Sequence, residues 1–190
     1  MTKHTSPQIW VSIDGEFTGR APGVNSMISL GAVAYSDDER EISRFKINMR
    51  ELYRSVRDDD TMRWWKERPE AWRAATENAI SAQKGMEQFA RWLKALSGHP
   101  VLLGWPIAVD FMFVCWYYVR FVGDPPFGHS GLDIRTYAMR TFGFRTYGEA
   151  SKADVCAGLG IPYQELSHDS LEDAREQARL FFALRRKISI

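Results

Sequence analysis

Trp10-Val11-Ser12-Ile13-Asp14-Gly15-Glu16-Phe17 is the stretch whose reading decides the fold. Its first half reads as a buried strand, placed at residues 8–13, and two carboxylates stand where that strand ends. Side chains two apart on a strand share a face, so Asp14 and Glu16 project into one spot with only Gly15 between them. Two like charges so close repel unless something positive sits there, and a divalent metal ion is the usual answer. An Asp-x-Glu pattern is short, however, and an ordinary acid pair at a strand-to-loop junction would read the same way. The rest of the chain has to decide.

Outward from this stretch, residues 19–25 hold two glycines and a proline and read as a loop. Residues 26–35 are mostly apolar, as in a strand buried on both faces. After a solvated turn at 36–40, residues 41–49 alternate as a third strand does. Strands two and three form an antiparallel hairpin beside strand one. Asp58 to Thr61 supply helix-capping residues for a run through Trp64 and Trp65, which Pro69 breaks and restarts through Trp72. Residues 84–96 place Met86, Phe89, Ala90, Leu93 and Leu96 at helical spacing. A short buried strand at 101–104 precedes a long apolar helix at 108–121. A Gly/Pro loop at 123–131 leads to a short edge strand at 132–134 and a helix at 135–141. A helix at 149–157 is ended by Gly158 and Gly160. The last helix spans 170–187, with Leu171, Ala174, Ala178, Leu180 and Phe181 inward. Three antiparallel strands followed by β-α units give an α/β fold: an RNase H-like mixed sheet, first strand central, flanked by helices.

The chain has 190 residues, 45% of them hydrophobic and 13% aromatic, which fits one domain over residues 1–190 with a Trp-rich helical insert at about 58–78. A formal net charge of +1 excludes a global attraction to nucleic acid, so any such binding uses a local patch. Cys115 and Cys156 match no zinc or redox spacing and read as buried free thiols of a reducing cytoplasm. Residues 1–8 are polar and carry no apolar core of a signal peptide. The most apolar stretch, 107–122, contains Asp110 and Arg120 and is too short and too polar to span a bilayer. A cytoplasmic protein without a membrane partner is the expectation.

Most acids are explained by solvation or capping, but Asp110 and Asp173 resist that reading. Asp110 opens an otherwise apolar helix directly after a short buried strand, so it lies near the end of the same sheet. A helix-dipole role is its plain alternative. His168 and Asp173 stand together in Ser167-His168-Asp169-Ser170-Leu171-Glu172-Asp173-Ala174. Asp173 could instead close a capping box with Ser170. Asp169 and Glu172 read as bystanders, pointing away from Asp173.

In this order the motifs resemble the DEDD superfamily of 3′→5′ exonucleases, in its histidine-bearing (DEDDh) branch that includes RNase T, oligoribonuclease and the proofreading subunit of bacterial replicative DNA polymerase. The first motif is Asp14-Gly15-Glu16-Phe17-Thr18-Gly19 with Ser26-Met27-Ile28-Ser29-Leu30-Gly31-Ala32-Val33 behind it. The second resembles residues 101–113 with its acid at Asp110. The third is His168, four residues, then Asp173-Ala174-Arg175-Glu176-Gln177-Ala178. The resemblance covers residues 9–184. It departs from the pattern where the second motif commonly has Asn four residues before its Asp, often after His; here those positions are Pro106 and Trp105. Thr often follows the first-motif Glu, where this chain has Phe17.

The resemblance implies metal-dependent hydrolysis of phosphodiester bonds from the 3′ end of single-stranded DNA or RNA, releasing nucleoside 5′-monophosphates. It implies two ions, Mg²⁺ or Mn²⁺, held by Asp14, Glu16, Asp110 and Asp173 as hard oxygen ligands. Asp14 would bridge both ions and Asp110 would support the one on the leaving side. His168 would be the general base. Phe17 and Trp105 are candidate contacts to the terminal base. Homodimers occur among the look-alikes, so a dimer is an expected state. The rivals are a catalytically inactive nucleic-acid-binding module on the same fold and an RNase H-like endonuclease.

Overall fold

A computed structural model of the chain describes residues 7–188, so the polar N-terminal stretch lies outside the described residues up to residue 6. Strand β1 (Gln8–Phe17) is central in a five-stranded sheet of order β3-β2-β1-β4-β5. It pairs antiparallel with β2 (Met27–Tyr35), and β2 pairs antiparallel with β3 (Glu41–Asn48). On its other edge β1 pairs parallel with β4 (His99–Gly104), which pairs in turn with β5 (Leu132–Asp133). This is the α/β, RNase H-like mixed sheet expected from the order of elements.

One boundary differs in a way that matters. The strand expected to stop at residue 13 continues to Phe17, so Asp14 and Glu16 lie within β1 and not past its end. The two edges of β1 end at different places. Pairing with β4 stops at Ser12, opposite Leu103, whereas pairing with β2 runs on through Asp14 opposite Gly31 and Glu16 opposite Ser29. The acids are held by β2 along one edge of the strand and lie past the last β4 pair on the other.

The sheet is covered on both faces. Ile9, Val11 and Ile13 alternate toward a core shared with Met86, Phe89 and Leu93 of α3 (Ala82–Ala95) and Phe113, Val114 and Tyr117 of α4 (Ile107–Phe121). The opposite face packs on Ile134 and Ala138 of α5 (Ile134–Phe142), Val155 and Cys156 of α6 (Lys152–Leu159) and Ala178, Phe181 and Leu184 of α7 (Ser170–Ile188). The Trp-rich stretch forms two short helices, α1 (Asp59–Lys66) and α2 (Pro69–Thr76), whose Trp65 and Ala75 close a small core over Ile28. The capping expected at its start is present: Asp58 accepts a hydrogen bond from the Thr61 N–H at 2.9 Å.

The helix expected at 149–157 is displaced. A 3-10 turn (Tyr147–Glu149) comes first, and Ser151 then caps α6 by accepting from the Asp154 N–H at 3.1 Å. Gly158 lies inside this helix, against the Phe142 ring. Gly160, at φ 68°, ends it in the left-handed conformation that glycine adopts without strain. Among the described residues no helix is long and apolar enough to cross a membrane.

Candidate active site

The alternation of β1 sends Trp10, Ser12, Asp14 and Glu16 toward α7 and leaves position 15 facing α4. Gly15 has no side chain, and Asp110, in the first turn of α4, fills that space: its Oδ1 accepts a hydrogen bond from the Gly15 N–H at 2.8 Å. A Cβ on residue 15 would lie 3.3 Å from Asp110 Oδ1 and would run into the Phe17 ring. The absence of a side chain at 15 thus makes room for the Phe17 ring and for the close approach of Asp110 to the strand backbone.

The third contributor is the start of α7. Asp169 holds its first turn, accepting from the N–H groups of Leu171 at 3.1 Å and Glu172 at 3.4 Å while receiving Lys46 Nζ at 2.7 Å. Asp169 is thus a helix cap paired with Lys46, close enough for both charges to act on Glu16, and Glu172 pairs with Arg175 at the surface. Asp173 does not close a box with Ser170. Its Oδ1 accepts from the Ser167 N–H and hydroxyl, both at 2.9 Å, and its Oδ2 from the His168 N–H at 2.8 Å. These bonds fix the histidine loop against the helix, with His168 at φ 56°. Ligand-capable atoms of Glu16, His168 and Asp173 come within 4.8 Å of one another. Asp14 and Asp110 lie beside this triad, on either side of Gly15.

Sequence reading missed Gln177. Its side chain is buried, and its carboxamide links two backbone-distant groups: Oε1 accepts from the Trp105 N–H at 2.7 Å, and Nε2 donates to Asp14 Oδ1 at 2.6 Å. The signal available was its place four residues after Asp173, on the same face of the helix. Of the two aromatic candidates, Phe17 stacks on Phe113 with ring centroids 4.2 Å apart, so one of its faces is taken by the core. Trp105 is half-buried against the core beneath α5–α7.

The electrostatics follow from this crowding. Burial, then the carboxylates of Asp110, Glu16 and Asp173, push the Asp14 carboxyl well above the usual range, with Lys152 pulling the other way. Burial, then Asp173, Asp110 and Asp169, do the same to Glu16, against Lys46. Burial raises Asp110 to about 7 despite the hydrogen bond from Gly15. His168 is held below the ordinary histidine value, chiefly by burial and further by Arg68, with Asp173 opposing. Carboxyls forced upward together in a desolvated place are short of positive charge. Their donors are hard oxygens, which fits a divalent cation such as Mg²⁺ or Mn²⁺ and does not fit a thiolate-type metal.

A family described as Exonuclease (RNase_T) matches residues 11–181. The chain is 26% identical over 181 residues to the 3′–5′ DNA exonuclease Cap18 of Escherichia coli, covering 93% of this chain and 91% of that protein. Its fold resembles the nuclease domain of 3′hExo, a DEDDh family member, bound to rAMP, at a TM-score of 0.72 and 16% identity, over 98% of this chain and 95% of that one. It also resembles the Mg²⁺- and Mn²⁺-bound form of S. pombe Pop2p, at a TM-score of 0.67 and 14% identity, over 95% and 83% of the two chains.

Proposed function

The chain belongs to the RNase T-type exonuclease family of the DEDDh 3′→5′ exonuclease superfamily, and from that membership we propose how its own residues carry out the reaction. The substrate is a single-stranded 3′ end of DNA or RNA. The product is a nucleoside 5′-monophosphate. The convergence of Glu16, His168 and Asp173 within 4.8 Å, beside Asp14 and Asp110, carries this reading. The E. coli relative named as a DNA exonuclease makes DNA the first substrate to test, and the rAMP-bound relative supports a mononucleotide at the site.

Asp14, Glu16, Asp110 and Asp173 would hold two divalent ions. Such ions supply the positive charge that activates water and polarises the phosphodiester. The protein's part is geometric and protolytic. Gln177 Nε2 occupies one lone pair of Asp14 Oδ1 and fixes that carboxylate's rotation. Ser167 and the His168 N–H fix Asp173 in the same way. His168, kept neutral near pH 7 by its lowered pKa, accepts the attacking water's proton at an imidazole nitrogen. The water oxygen bonds to phosphorus, the bond from phosphorus to the 3′-oxygen breaks, and that oxygen takes a proton from solvent. Phe17, next to Glu16 on β1, and Trp105, whose N–H is held by Gln177, are the proposed contacts to the terminal nucleotide.

The test is digestion of matched 5′-labelled and 3′-labelled DNA and RNA strands, single and double, with Mg²⁺ or Mn²⁺. Stepwise shortening of the 5′-labelled strand and immediate release of a 3′-terminal mononucleotide are expected. Asp14→Ala and Asp173→Ala abolish both. His168→Ala lowers the rate roughly 100-fold or more while the protein still binds Mn²⁺. Cleavage of a circular strand would move the assignment to an endonuclease, and no digestion of either sugar type with either ion would leave only a binding module.

A further inference from the structure

Trp64 and Trp65 are neighbours on α1 and reach two different parts of the site. Trp65 is buried, and its Nε1–H donates to the carbonyl oxygen of Phe17 at 2.9 Å, on the strand that carries Asp14 and Glu16. Trp64 turns the other way. Its ring meets the His168 imidazole edge-to-face, with centroids 4.6 Å apart and planes at 90°. Trp65 braces Trp64 from one side, at 4.8 Å and 79°. The Arg68 guanidinium covers it at 4.3 Å from the ring centroid, and Arg68 Nη1 also donates to the Trp64 carbonyl at 3.2 Å. Among the described residues, Trp64 is the aromatic ring that faces His168. The backbone of His168 is fixed by Asp173, but that bond leaves rotation of the imidazole free. A perpendicular aromatic contact restricts that rotation.

We propose that Trp64 is a positioning residue for His168: the α1–α2 pair docks on β1 through Trp65 and sets the imidazole's orientation through Trp64. The proposal rests on the reading of His168 as the general base. A base acts only when its nitrogen lies within hydrogen-bond reach of the proton it removes, and a displacement of about 1 Å can cost roughly 100-fold in rate.

The experiment compares Trp64→Phe, Trp64→Leu and Trp64→Ala, each alone and combined with His168→Ala, on a single-stranded oligonucleotide with Mg²⁺. The readouts are kcat, KM, Mn²⁺ affinity by calorimetry, thermal unfolding, and the NMR signals of the His168 ring. Trp64→Leu keeps an apolar side chain against Trp65, so the test survives if the alanine variant does not fold. Trp64→Ala and Trp64→Leu are expected to lower kcat about 10- to 100-fold with KM and Mn²⁺ affinity unchanged. Trp64→Phe restores most of the rate, and the His168 ring signals move in the variants that lack an aromatic ring. In the His168→Ala background the Trp64 substitutions cost nothing further. A raised KM with kcat intact, or a loss that adds to that of His168→Ala, makes Trp64 a surface for the substrate base and overturns the proposal. If His168→Ala alone leaves kcat unchanged, the base assignment fails first. If His168→Ala is slow but the Trp64 variants are not, only the role of Trp64 fails.

Discussion

A side chain at position 15 would point away from Asp14 and Glu16 and toward α4, where Asp110 stands. A Cβ there would strike the Phe17 ring and crowd Asp110 Oδ1 at 3.3 Å, so glycine keeps both groups where they are. Gln177 makes a complementary contribution. The Trp105 N–H can only donate, so the Gln177 oxygen faces it and the amide nitrogen is left for Asp14. Gln177→Leu removes that donor while keeping an apolar shape. It is expected to weaken Mn²⁺ binding about 10- to 100-fold, read by calorimetry, with thermal unfolding reported alongside. Unchanged affinity would mean that Asp14 is oriented without Gln177. At this scale the shared face of Asp14 and Glu16 was legible, because strand parity is local, whereas Asp110 and Asp173 joined them only through the order of the family's motifs. Gln177 was not, because its partners are 72 and 163 residues away and no local pattern announces a bridge between them.

Helix α7 delivers Asp173 and Gln177 only if its start lies directly on the sheet, and Gly31 permits this. Gly31 is the β2 residue paired with Asp14, and a Cβ there would strike the Ser170 backbone. Two residues away, Ser29 and Ser170 share a hydroxyl hydrogen bond of 2.8 Å that marks the same seat. Gly31→Ala forces the helix start outward, since the obstacle is backbone and not a flexible side-chain tip. A loss of about 1–3 kcal/mol in denaturant unfolding is expected, together with a fall in nuclease rate. Gly148→Ala, with nothing within 4 Å of the added Cβ, serves as the neutral control. Equal behaviour of the two variants would remove Gly31 from the account. The element order and the central place of β1 were legible from patterning. The end of β1 was not, because one edge stops at Ser12 while the other continues, and hydropathy carries no information about which edge is paired. The displacement of α6 has a similar origin: Gly158 reads as a terminator, yet its lack of a side chain is used for packing against Phe142.

At the scale of the whole molecule, the anions come from β1, α4 and α7 and from both faces of the sheet, so their repulsion opposes the closure of the fold itself. The carboxyls of Asp14, Glu16 and Asp110 sit above their unfolded values, Asp110 at about 7. The folded state then binds more protons than the unfolded chain between the ordinary carboxylate range and these raised values. Stability falls as pH rises through that window. His168 acts in the opposite sense below its ordinary value of 6.5, since its folded pKa is lowered and stability there rises with pH. Between pH 6.5 and 8 Asp110 titrates, while the opposing contribution of His168 fades as the unfolded imidazole loses its proton. Metal-free protein is expected to melt lower at pH 8 than at pH 6.5. Titration of Asp110 alone costs about 1 kcal/mol over this interval, or roughly 2–4 °C for a chain of this size. Asp110→Asn keeps a carbonyl oxygen for the Gly15 N–H and removes one charge, so its melting temperature at pH 8 rises toward that at pH 6.5. Divalent ions bind the ionised, folded form, so Mg²⁺ or Mn²⁺ raises the melting temperature more at pH 8 than at pH 6.5 and flattens the profile. A metal-free profile that is flat, or that rises toward pH 8, would show that the cluster is relieved without a cation. The crowding of Asp14 and Glu16 would then give no reason for an ion between them, whatever the nuclease assays report.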